Sequence, residues 1–205
     1  GEILAPAGLA MTLCFPLAGR LGDRIDARIL LAAGVLMFAG SMWLLSDIAA
    51  FTSFTAMAFA VALSRTGIAT VMPAANASAM RQAPDMLASA APAATFLTQT
   101  GGALGVAILS ALLQDRAAFH AGMLQPLVNE SNGQAVEAMA ILRQGLEDGG
   151  LAPPDAAAMA GEHLAAVMWS SAQLLAFRDC FMAIALAFIA LLPLIPLIPP
   201  RANAR

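Results

Sequence analysis

Short polar segments separate five long apolar runs along this chain: residues 3–18, 29–45, 51–75, 90–113 and 174–198. A helix needs about 20 mostly apolar residues to cross roughly 30 Å of hydrocarbon. Each run meets or approaches that length, the first being the shortest. None has the strict alternation of a barrel strand, and an isolated strand would leave its backbone polar groups unpaired in lipid. The pattern predicts an all-α integral membrane protein with four transmembrane helices in residues 1–113 and a fifth, with a tail, in 174–205. Residues 114–173 form a longer polar segment. Within it, Gly133 to Leu146 reads as a helix ended by Gly149-Gly150, and Pro153-Pro154-Asp155 opens another that leads into the last run. Ala157, Leu164, Ala165, Met168 and Trp169 give that second helix an apolar stripe, with Trp169 suited to an interface. The segment is either a helical cap over the ends of the spans or a docking surface for an external partner.

Composition removes the competing classes. The chain is 60% hydrophobic and only 11% charged, with a mean hydropathy of +0.78. A soluble domain carries about 25% charged residues, so soluble globular and disordered chains are both excluded. The net charge is −3, and no basic run tracks phosphates, which excludes nucleic acid as a partner. Cys14 and Cys180 sit inside apolar runs, where buried thiols are expected rather than a disulfide. The opening Gly1-Glu2-Ile3 has no initiator methionine, basic segment or cleavage site. It reads as the middle of a longer chain and not as a signal peptide.

Charge then sets orientation. All ten basic residues are arginines. Arg20, Arg24 and Arg28 precede the second span, Arg81 follows the third, and Arg201 and Arg205 follow the fifth; with five spans these six share one side. The segment 114–173 holds only Arg116 and Arg143 against seven carboxylates. The positive-inside rule places the arginine-rich side in the cytoplasm. The N-terminus is then expected outside, the C-terminus inside, and residues 114–173 outside.

A few residues carry candidate chemistry. Gly19-Arg20-Leu21-Gly22-Asp23-Arg24-Ile25-Asp26-Ala27-Arg28 packs three arginines and two aspartates into one turn. Asp23 suits the positive end of the next helix or an arginine partner. An ion-pair cluster of Asp23, Arg24 and Arg28 at the mouth of a bundle can be made in one conformation and broken in another. Gly101-x-x-x-Gly105, with Gly102 between, lets two helix backbones approach closely. Gln99, one turn earlier, suits a hydrogen bond across helices or to a ligand. Arg65 is the one charge deep inside a span, where it should pair with a carboxylate or line a watery cavity. Asp179 lies near the outer end of the last span with Arg178 beside it, which favours a structural pair over a proton carrier. His120 and His163 have no metal-ligand company. There is no intramembrane Ser-His pair and no phosphate-cradling loop. Neither an enzyme, a metal nor a bound cofactor is expected.

The turn Gly-x-Leu-x-Asp-Arg-x-Asp-x-Arg resembles the signature loop of the major facilitator superfamily, in its second-half copy. The order of further motifs resembles the fourteen-helix drug:proton antiporters of the EmrB/QacA type. Those motifs are Pro6 to Met11 ahead of Pro16 to Arg20, Gly67 to Pro73, Gln99 to Ala107, and Ala176 to Phe181 after a long external segment. Two positions depart from the family: Thr98 stands before Gln99 where arginine is common, and Arg178 stands where a small or amide residue is usual. The resemblance covers essentially the whole chain, but only the last five of fourteen helices.

That resemblance implies five helices of a C-terminal six-helix bundle, in the inner membrane of a bacterium. It implies antiport of lipophilic drugs or amphiphiles, with the proton gradient as energy source and no cofactor. The partners implied are an N-terminal helix bundle of the same transporter, the lipid bilayer, a small lipophilic substrate and a periplasmic adaptor at the outer segment. By the same resemblance, Gly19, Asp23, Arg24 and Arg28 form the conformational gate, and Gly101, Gly102 and Gly105 the shifting helix contact. Two other readings stay open: a non-transporting membrane interaction module, and a facilitator for another small solute. The scarcity of hydrogen-bonding side chains in the spans counts against a sugar.

Overall fold

The computed structural model describes residues 8, 12, 16, 20, 25–47, 54–82, 87–125 and 133–198. Its elements are all helices: α1 (Ala27–Ser46), α2 (Phe54–Gln82), α3 (Leu87–Leu124), α4 (Gly133–Asp148), α5 (Pro153–Leu191) and a closing 3-10 helix (Leu192–Leu197). Of these, α1, α2, α3 and α5 are long and apolar enough to cross a membrane. The expected span 3–18 lies outside the described residues except for Gly8, Thr12 and Pro16, which are helical. The chain forms two compact units, one of Gly1–Ala107 with Cys180–Arg205, the other of Ile108–Asp179.

In the first unit, α1 and α2 run antiparallel, since Leu30 and Leu31 at the start of α1 meet Ala74 towards the end of α2. Their backbones touch at two glycines. A Cβ built on Gly34 would lie 2.7 Å from Val71 Cγ2 and 3.0 Å from the Gly67 carbonyl oxygen. One built on Gly67 would lie 2.9 Å from both the Gly34 oxygen and the Phe38 nitrogen. Small residues are what allows such an approach between helices in an apolar solvent. Around this contact the buried hydroxyls need no distant partner. Ser41 donates to the Phe38 carbonyl at 2.6 Å, Ser46 to Trp43 at 2.7 Å and Ser64 to Val61 at 2.7 Å. The Phe38 ring also tilts against Phe188 of α5, with centroids 4.5 Å apart. Ile195 and Ile198, from the closing 3-10 turn, pack against Leu30, Leu31 and Ala74.

In the second unit, α4 ends in a Schellman arrangement. The Leu151 N–H donates to Leu146 at 3.2 Å and the Gly150 N–H to Glu147 at 2.9 Å. Gly150 adopts φ +94°, a conformation open to glycine at little cost. Two residues later, Pro153 and Pro154 occupy the first positions of α5, where a proline needs no N–H partner. Along α5, Ala156, Ala160, Ala172 and Ala176 are buried and fall on one i, i+4 stripe.

Three boundaries differ from the sequence expectation. Helix α2 passes through Pro73 and continues to Gln82 instead of ending near Ala75. Proline removes one N–H and crowds one carbonyl, which bends a helix more readily than it stops one embedded in packing. Helix α3 continues from Leu113 to Leu124, while α5 opens at Pro153 and leads into the last apolar run, as expected, unbroken to Leu191. Much of the expected loop 114–173 is therefore the continuation of two helices. Ala117-Ala118 and the alanine-rich run 156–166 favour helix strongly, and the lone Gly122 and Gly161 are too weak to interrupt it. At 38 and 39 residues, each helix rises about 57 Å, nearly twice the hydrocarbon thickness. At the other end, Pro193 and Pro196 convert the last turns of the fifth run into the 3-10 helix.

The glycine contact predicts unequal effects of a single added methyl group. Gly67→Ala should destabilise the protein by about 1–3 kcal/mol, because the group meets backbone that cannot step aside. Gly101→Ala, where a Cβ meets nothing within 4 Å, should be neutral or mildly stabilising. Thermal unfolding of the two variants in the same detergent checks this.

Candidate functional site

The gate residues expected from the sequence are only partly placed. Gly19, Asp23 and Arg24 lie outside the described residues; Arg28 lies within them. The acid at the N-cap of α1 is Asp26, whose carbonyl accepts from the N–H groups of Ile29 and Leu30 at 3.0 and 3.3 Å. Its carboxylate oxygen Oδ1 is buried without a hydrogen-bond partner among the described residues. Arg28 turns to the far end of the chain and donates from Nε to the carbonyl oxygen of Ile198. A guanidinium suits this position, because the carbonyls that close a helix carry partial negative charge. The start of α1, the end of α2 and the last turn of the chain thus share one end of the first unit.

Arg65 stands on α2, eleven residues after Phe54 and thirteen before Ser78 of the apolar stretch. It is exposed and makes no ion pair among the described residues. The carboxylate expected opposite it is not among them. The neighbouring polar groups are satisfied locally: Thr66 donates to Ala62 at 2.9 Å and Thr70 to Thr66 at 2.8 Å. An arginine at the middle of a span costs about 2.5–3.5 kcal/mol on insertion scales, so its retention needs a compensating anion or water.

Asp179 is paired across helices. Its Oδ2 lies 2.9 Å from His120 Nε2 and 3.8 Å from Arg116 Nη1, both on α3. The cluster belongs to the second unit. Arg116 and His120 are one helical turn apart and therefore share a face. The Arg116 guanidinium also sits 5.9 Å from the centre of the Phe119 ring, within cation–π range. The sequence reading missed Arg116 and His120 because it ended the helix at Leu113. The signal available was the Arg-x-x-x-His spacing in a segment without helix breakers.

The remaining candidates lie on α3. Gln99, Gly101 and Gly102 are exposed on α3 and Gly105 is half-buried. A Cβ at any of the three glycines would meet nothing within 4 Å. The close contact expected of them is not made with the described residues. It is made instead by Gly34 and Gly67, which the sequence reading passed over because they lie on different helices. No group of three or more histidine, cysteine or carboxylate side chains is placed to hold a metal ion among the described residues. Cys180 is a buried free thiol.

The His120–Asp179 contact predicts an energetic coupling between α3 and α5. A double-mutant cycle with His120→Ala and Asp179→Ala should give a coupling on the order of 1 kcal/mol in unfolding free energy. The pair Arg143→Ala and Glu147→Ala, an exposed i, i+4 contact within α4, should give at most about 0.5 kcal/mol.

Among known proteins, the chain is similar to the fatty acid resistance protein FarB of Neisseria gonorrhoeae, with 27% identity over 151 residues. The similarity covers 73% of this chain and 30% of FarB, so the chain spans less than a third of that protein's length. No family model matches the chain, and no solved structure matches it. The comparison and the four apolar helices describe a membrane protein related at a distance to a resistance protein.

Proposed function

We propose that this chain supplies part of a proton-coupled membrane exporter of lipophilic drugs and amphiphiles, of the major facilitator type. The observation that carries the reading is the similarity of 151 residues to a fatty acid resistance protein, in a chain with four helices apolar enough to cross a bilayer. Resistance to an amphiphile that enters the membrane calls for a protein that removes it from there. Apolar helices exposing Met57, Met72, Phe96 and Leu97 offer the adaptable surface such a substrate needs. Nothing in the described helices favours a sugar or another strongly hydrogen-bonding solute.

The arginine-rich end fits the cytoplasmic side. Arg28 and Ile198 meet there, and the segments bearing Arg20, Arg24, Arg81, Arg201 and Arg205 adjoin the same helix ends. In this reading Asp23, Arg24 and Arg28 form a gate that is made and broken as the bundle rocks between its inward-open and outward-open states. In this reading residues 114–173 form the outer segment, where an adaptor protein would dock. The driving force is the proton gradient, acting through groups of the whole transporter.

Export is tested in cells lacking their own exporters, with the whole transporter that contains this chain expressed and the cells loaded with radiolabelled dodecanoate or an amphiphilic dye. The expected outcome is faster loss of label, abolished by a protonophore. Asp23→Asn should slow that loss about tenfold with the protein still present in the membrane at the normal level. Label retained equally with and without the protein would overturn the export reading.

A further inference from the structure

Arg65 is the part of α2 that its packing does not use. The face of α2 turned to α1 is marked by Gly67, Val71 and Ala74. At about 100° per residue, Arg65 lies on the side of the helix opposite Ala74. On its own stripe stand Val61 and Ile68 about one turn away, Met72 two turns away and Phe54 three turns away, with Phe54 and Met72 exposed. The surface is a strip of apolar side chains with a single cation at its centre. The guanidinium is too far from either end of the span to reach water by extending, since eleven residues correspond to about 16 Å of helix. It has no carboxylate among the described residues, and the hydroxyls beside it are occupied with their own helix.

We propose that Arg65 is the head-group site for anionic amphiphiles, its guanidinium binding a carboxylate while the flanking apolar residues of α2 hold the aliphatic tail. This deepens the export reading and rests on it. The chemistry is specific to arginine: its planar fork donates two parallel hydrogen bonds to one carboxylate. The same site rejects a cationic head, because the two like charges would face each other where little water screens them. An amphiphile with a neutral head binds through its tail alone and more weakly.

The test compares two substrates of equal chain length and opposite charge, dodecanoate and dodecyltrimethylammonium, with the whole transporter that contains this chain in proteoliposomes. The wild type should export dodecanoate. Arg65→Gln should reduce that export by at least about tenfold and Arg65→Lys by less, since lysine keeps the charge but not the fork. Neither substitution should reduce export of the ammonium compound. Equal loss of both substrates in Arg65→Gln, or unchanged dodecanoate export, overturns the assignment. Export of the ammonium compound but not dodecanoate by the wild type overturns it while leaving the export reading intact. Export of neither overturns both. Should the variants fail to reach the membrane, binding of labelled dodecanoate to the purified wild type decides. Displacement by dodecyl sulfate but not by dodecanol supports the site, and equal displacement by both sinks it.

Discussion

Helices α1 and α2 meet where neither carries a side chain. In hydrocarbon, apolar surface gains little by leaving the solvent for another apolar surface, so two helices stay together through close fit and not through the exclusion of water. Gly34 and Gly67 supply that fit by letting backbone oxygen and nitrogen atoms come within 3.0 Å of where each Cβ would stand. Phe38 can then pack beside Gly67 and against Phe188, and Leu30, Leu31 and Ala74 can close the end of the pair. Around this crossing α1 and α2 pack along their length, and the closing 3-10 helix packs on α1. It fixes which face of α2 is occupied and therefore which face carries Arg65.

The existence of the apolar helices was legible in the sequence because length and hydropathy are local properties. So were the stop at Gly149-Gly150 and the start at Pro153, where residue types dictate backbone geometry. The end of α3 was not. Hydropathy falls after Leu113, and a reading tuned to the bilayer treats that fall as the end of a helix, whereas alanine, arginine and glutamine hold a helix together in water just as well. The Arg116, His120 and Asp179 cluster was hidden for a related reason. Its members are 59 positions apart at the widest hydrogen bond, and no local pattern announces a contact at that distance along the chain.

The glycines make the same point from the other side. Gly101-x-x-x-Gly105 is a conspicuous local spacing, yet among the described residues nothing lies within 4 Å of a Cβ built there. Gly34 and Gly67 have no spacing at all, because a contact between two helices needs only one small residue on each. A motif read along one helix reports what that helix permits, and the partner decides whether the permission is used. Arg65 sits between these cases: a charge in an apolar run is visible at once, but its surroundings become readable only after the glycine contact has fixed the orientation of α2.

The hydrogen bond from Arg28 to Ile198 ends on a backbone carbonyl. A carbonyl is present whatever residue occupies position 198, so substitution there leaves the acceptor in place, while only the isoleucine side chain's packing is lost. Selection can therefore hold the arginine fixed and let its partner drift, and pairs of positions that change together would never reveal the contact. Interactions of this kind, with the identity invested in one side only, are silent in any comparison of sequences and visible only in three dimensions.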